Sequence, residues 1–253
     1  ADADPVAFTI RPDTDDNGTL VPDPEHRVTL DSFASAPKVG AVYPEVIGCP
    51  GFISTGTIVP ATPAIHIGSS QTLVAGHHCG GSGRVTLFGE NTSGVQISAE
   101  RDLIETVDGL GRDVTVVSAS GFAADKPVYV GWGSTTGPAY GVHVDTAPLR
   151  TAGDVVAWMM ARAGATTGFE LVRAELAAVQ ISGFLDDPVS PRRWVEDNVL
   201  PLLPVSLAWT ATGTRPIVRP TVPASGPDLR VEPGRMVRKG VVTYDTPASS
   251  VVN

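Results

Sequence analysis

The sequence predicts an α+β chain that is mostly β: a compact barrel- or sandwich-like β part carrying a three-helix α/β insert. Three observations lead there. Gly (27) and Pro (22) are abundant in the 253 residues, which implies many turns and short strands. Between 41 and 147, short apolar runs recur about every ten residues with turn residues between them. Only between 148 and 220 does the apolar spacing become helical.

Taken in order, residues 1–40 form a β/loop segment. Val6 to Ile10 alternates weakly, Asn17-Gly18 is a turn signal, and Arg27-Val28-Thr29-Leu30 alternates again. In the β-rich part, 41–147, strands are predicted over 42–47, 64–67, 72–75, 84–88, 94–97, 113–117 and 128–130. Gly80-Gly81-Ser82-Gly83 reads as a hairpin turn, since it lacks the Lys of a phosphate loop.

The insert, 148–220, starts with a helix over 154–163 that is apolar on nearly every side and therefore demands cover on several sides. Thr151 caps its start and Gly164 ends it. A more amphipathic helix is predicted over 169–180, then a short strand near Gly183-Phe184-Leu185. Ser190-Pro191 opens a third helix, with a capping hydroxyl followed by Pro at a position that needs no N–H. Pro201 ends or kinks it. Strands over 205–210 and 216–219 form a hairpin around residues 211–214. Residues 221–253 return to β: a Pro- and Gly-rich loop, then a strand at Val241 to Asp245 that reads as entry into a longer protein.

The net charge is −9, and an acidic surface disfavours binding phosphate by a basic face. Acids crowd the first 40 residues and bases (Arg215, Arg219, Arg230, Arg235, Arg238, Lys239) crowd 215–240, so the two ends attract each other or are simply solvated. No apolar run is long enough to span a membrane. Cys49 and Cys79 read as free thiols rather than a disulfide scaffold.

Catalytic patterns are weak. His77-His78-Cys79, with Cys49 and His66, lacks metal-ligand spacing and reads as a turn whose imidazoles bond to backbone. Asp13-Thr14-Asp15-Asp16-Asn17-Gly18 begins like a calcium loop, but its twelfth position is Pro24, not Glu; it reads as a solvated acidic turn. Asp186-Asp187 precedes Pro188 and reads as a turn, while Glu196 and Asp197 diverge on a helix. No serine elbow occurs. No cofactor or metal is expected.

Several phrases, in order, resemble one family. They are Val42-Tyr43-Pro44-Glu45-Val46-Ile47-Gly48-Cys49-Pro50-Gly51, Leu73-Val74-Ala75-Gly76-His77-His78, Gly109-Leu110-Gly111-Arg112-Asp113-Val114, and Ala147-Pro148-Leu149-Arg150-Thr151-Ala152-Gly153-Asp154-Val155-Val156. The last runs from Gly183-Phe184-Leu185-Asp186-Asp187-Pro188-Val189 through Trp194 to Val205. Together they resemble baseplate or tail-tip hub proteins of tailed bacteriophages, of the siphophage or gene-transfer-agent type. The resemblance implies a virion structural protein, not an enzyme, assembled in the host bacterial cytoplasm. It implies a homotrimeric ring that joins the tail tube to distal tip or fibre proteins and surrounds a channel through which DNA passes without specific binding. No membrane insertion is implied. The interface candidates are the large apolar side chains Trp158, Met159, Met160, Trp194, Leu202 and Leu203; for each, the alternative is the chain's own core.

Two other readings stay open. A tail-associated cell-wall hydrolase would show a pocket holding a carboxylate of raised pKa, or zinc beside His77 or His78. A carbohydrate- or receptor-binding β module would line a groove with Trp132, Tyr140 or Trp209.

Overall fold

The computed structural model describes residues 18–36, 39–80, 83–144, 146–165, 169–203, 205–210 and 213–218. The expectations for the strand at Val6, the acidic loop at Asp13, the basic stretch beyond Val218 and the strand at Val241 lie outside them. The chain is mostly β, 35% strand against 15% helix, as the sequence predicts.

In chain order the strands of the β part are β1 (Glu45–Ile47), β2 (Thr62–His66), β3 (Gln71–Ala75), β4 (Arg84–Glu90), β5 (Gln96–Asp102), β6 (Ile104–Val107), β7 (Asp113–Ser118) and β8 (Val128–Gly131). Short ladders β9 (Gly133–Ser134), β10 (Gly137–Pro138), β11 (His143–Val144) and β12 (Ala147–Pro148) follow. β2 to β8 form one antiparallel sheet in the order β5-β4-β8-β2-β3-β7-β6. Laid flat at about 4.8 Å per strand, its edges would sit roughly 29 Å apart. Yet the edge strands β5 and β6 are joined by Leu103 alone, and two Cα–Cα steps reach at most about 7 Å. The sheet therefore has to curl, and it forms a half-barrel. β2 makes the opposite corner: its first half pairs with β8 and its second with β3.

The curled sheet is buried on both sides along β3 and β7. Val74 and Val117 point into the barrel core with Leu87, Val130 and Trp132. Leu73 and Val116 point outward, where Val28, Tyr43 and Phe33 of the preceding segment cover them. That segment folds on itself through Val28 N–H to Ala41 O and Tyr43 N–H to His26 O, and docks through Gly109 N–H to Ser32 O and Gly76 N–H to Pro44 O.

The insert contains α1 (Ala152–Arg162), α2 (Glu170–Glu175), β13 (Gly183–Leu185), α3 (Pro191–Trp194) and the hairpin β14 (Val205–Thr210) with β15 (Gly213–Val218). Both caps expected from sequence are present: Thr151 accepts from the Asp154 N–H, and Ser190 from the Arg193 N–H. α1 is covered by its own chain, with Val155, Val156, Met159 and Met160 fully buried.

Four details correct the sequence reading. The predicted strand over 42–47 breaks at Pro44, so Val42 bridges Arg27 and only β1 continues. The stretch Gly80 to Gly83 does not close a hairpin, because β2 and β8 stand between β3 and β4 in the sheet. The second helix stops at Glu175 because residues 179–181 pair back onto 150–152, with Ala152 N–H on Val179 O and Ile181 N–H on Arg150 O. The third helix leaves α geometry after Trp194, widening to a π turn over Val195–Val199 before a 3₁₀ turn over Leu200–Leu202. Pro201 supplies no N–H to an α ladder there.

Candidate functional site

A polar cleft lies where the segment before β1, the barrel and α1 meet. It has a volume of about 200 Å³ and is lined by Asp23, His26, Glu45, His77 and Arg162 among others. Glu45 is carried by β1, with only 10% of its side chain exposed. Arg162, in the last turn of α1, reaches it with Nη1 at 2.9 Å from Oε1 and lies over the Trp158 ring at 4.9 Å. Burial pushes the Glu45 carboxyl above its usual range, and Arg162 opposes that rise. The sequence reading did not single out this pair. Its members are 117 residues apart, and no local spacing marks them.

His77 lies in the bend after β3. Its Nε2 is 3.2 Å from the Val46 N–H and its Nδ1 3.0 Å from His78 O. The first nitrogen accepts, so the second carries the proton and donates, which leaves no lone pair for chemistry. Burial first of all pushes its pKa down to about 4. His78 Nε2 is 3.0 Å from Thr106 O. The imidazoles bond to backbone, as the sequence suggested. Among the described residues no group of three or more His, Cys, Asp or Glu is placed to hold a metal ion. Both cysteines are free thiols, and burial pushes Cys79 up to about 12.

A second polar cluster is structural. Asp108, with no exposed side-chain surface, accepts from Tyr43 Oη–H at 2.6 Å and from Arg112 Nε at 2.8 Å. Arg112 also lies 4.6 Å from the centre of the Tyr43 ring and donates to the carbonyls of Glu25 and Arg27. It ties the segment before β1 to the β6–β7 turn. Glu196 and Asp197 each pair with the arginine four residues earlier, Arg192 and Arg193.

The six interface candidates separate sharply. Met159 and Met160 are wholly buried in the insert core, so they correct the sequence reading: no partner reaches them. Trp158, Trp194 and Leu203 are partly buried against that same core. Leu202 is 77% exposed, the highest value among the exposed large apolar side chains of the described residues. Of the groove candidates, Trp132 is 0% exposed, its indole N–H donating to Thr62 Oγ1. Tyr140 is half-buried beside Arg150, and the side chain of Trp209 lies outside the described residues.

A larger open cavity, about 600 Å³, sits elsewhere, at the β2 corner, where Pro63, Ile65, His66, Lys126, Pro127 and Tyr129 contribute to its lining. Sequence reasoning passed over it because its lining comes from three separate stretches. Comparison of the chain with protein-family models, with curated proteins and with solved structures returns no match.

Proposed function

We propose that this chain is a structural docking module of a phage tail tip, a hub subunit that assembles with identical copies as a trimer and with tube and tip or fibre proteins. The ordered phrases quoted above support this reading, as does the commitment of the polar clusters to ion pairs and hydrogen bonds within the chain. The observation that carries it is Leu202, a large apolar side chain held out on the 3₁₀ turn of the insert. Burying such a side chain in a partner is worth about 1.5–3 kcal/mol. The acidic balance of −9 suits a wall past which DNA slides without being held.

The test is solution mass together with location. The expected result is a trimer that Leu202→Asp shifts toward monomer, and an antibody to the chain that decorates the tail tip of purified particles. A monomer absent from particles overturns the proposal.

One observation favours a second reading. Glu45, a carboxylate of raised pKa in a cleft, meets the criterion for a hydrolase. Against it, Arg162 holds one of the carboxylate oxygens. Clearing of a peptidoglycan suspension by the wild type but not by Glu45→Gln would establish the enzyme; clearing by neither leaves the docking role.

A further inference from the structure

Between the β11–β12 hairpin and the open side of α1 lies a notch of about 150 Å³. Val144 and Pro148 of the hairpin, Leu149 after it and Trp158 of α1 give it apolar walls. It opens at the surface, where Val144 is exposed and Trp158 half-buried. An apolar cavity of about this size holds a benzene ring, and a leucine side chain is smaller.

Leu202 is not part of that lining and stands out on its own 3₁₀ turn. A chain that carries an apolar knob in one place and an apolar socket in another can satisfy both at once against copies of itself. The charges beside the two are complementary. Arg173 stands at the notch, more than half exposed and 3.8 Å from Asp154, too far for a hydrogen bond, so an incoming carboxylate can reach it. Glu196 and Asp197 lie on the π turn that leads into the turn of Leu202, and Asp197 is largely exposed.

We propose that Leu202 of one copy seats in the Val144–Trp158 notch of the next. Knob and socket are different surfaces, so the contact is head-to-tail. Contacts of this kind close into a ring when the rotation between copies closes, and the trimer uses one per neighbouring pair. The inference rests on the reading of the chain as a self-assembling hub subunit, and it names the surface that receives Leu202.

The test is a complementation experiment on the full chain, read by sedimentation over rising concentration. Leu202→Asp removes the knob and keeps the notch. Ala147→Trp fills the notch from an exposed position of the hairpin and keeps the knob. Each variant alone should assemble about tenfold to a hundredfold more weakly, the worth of one buried leucine. An equimolar mixture should form a heterodimer and stop there, because it holds one intact knob and one intact notch. Circular dichroism checks that both variants are folded, and Ala147→Glu, which puts a charge in the notch, should act as Ala147→Trp does. A trimer that survives both changes at Ala147, or a mixture of folded variants without the heterodimer, overturns the inference and leaves the trimer standing. A wild type that stays monomeric overturns both.

Discussion

Asp108→Asn isolates the most tightly satisfied buried charge in the fold. Oδ1 accepts from the Leu110 and Arg112 N–H groups at 2.8 and 3.0 Å; Oδ2 accepts from Tyr43 Oη–H and Arg112 Nε. An amide keeps one oxygen and turns the other into a donor, set against two donors. Removing one member of a buried ion pair costs about 3–5 kcal/mol. Arg112 is 17% exposed and keeps two carbonyl partners, so the low end applies, about 3 kcal/mol. At about 2–4 °C per kcal/mol for a chain of this size, Tm should fall by roughly 6–12 °C. The pH dependence has a definite sign. Burial alone would raise the Asp108 pKa, but the hydrogen bonds from Tyr43, Arg112 and Leu110 outweigh it and hold it below the usual range. A depressed carboxylate stabilises the fold above its unfolded pKa, and that stability is lost as pH falls through the folded pKa. Thermal melts of both proteins from neutral to acid pH should therefore converge at the acid end. A loss under about 1 kcal/mol at pH 7, or a gap that stays constant into acid, would refute this reasoning.

Glu45→Gln should behave oppositely. Its folded pKa is raised, so the wild type loses stability as pH rises from the ordinary glutamate range through the folded value, and the variant lacks that slope. At pH 7 the change should stay within about 1 kcal/mol, because relief of burial offsets the lost Arg162 pair; urea midpoints against pH decide it, and a loss near 3 kcal/mol contradicts it. Gly48→Ala should cost about 3 kcal/mol: φ is +66°, about 1–2 kcal/mol by itself, and a Cβ would meet Ser182 Oγ at 2.7 Å and Ser182 Cα at 3.1 Å. Gly56→Ala, at φ +81° with open space around it, should show only the conformational part; equal losses in the two variants argue against the crowding at Gly48.

Much of the fold was legible where local chemistry decides it. The Thr151 and Ser190-Pro191 caps and the apolar runs of β3, β4, β7 and β8 follow from side-chain type and spacing. β6 was missed because Ile104-Glu105-Thr106-Val107 follows β5 after a single residue, with no turn signal to separate them. The glycines between β3 and β4 could not tell which strands pair, since pairing is decided by the curl of the sheet. The early end of α2 depends on backbone partners near residue 150. Long-range geometry also hid the Glu45–Arg162 pair and the Tyr129 cavity.

β1 explains why α1 keeps so little apolar surface for partners. Its alternation sends Val46 into the barrel core and Ile47 into the insert core. Ladder bonds to β13, with Gly48 N–H on Leu149 O and Val142 N–H on Val46 O, fasten the insert to the barrel along this one strand. α1 thus finds its cover within the chain, and its open strip is reduced to Asp154, Trp158, Ala161 and Arg162. Among the exposed large apolar side chains described in the insert, Leu202 stands out furthest, ahead of Ile217 and Val179, so a partner that docks there gains most by burying it, with Trp158 and Trp194 contributing only what their own core leaves open. Hot spots act when they are desolvated at the middle of a contact. On this reasoning the Leu202→Asp effect on assembly should exceed that of alanine at either tryptophan, once the tryptophan variants are compared at equal folded fraction.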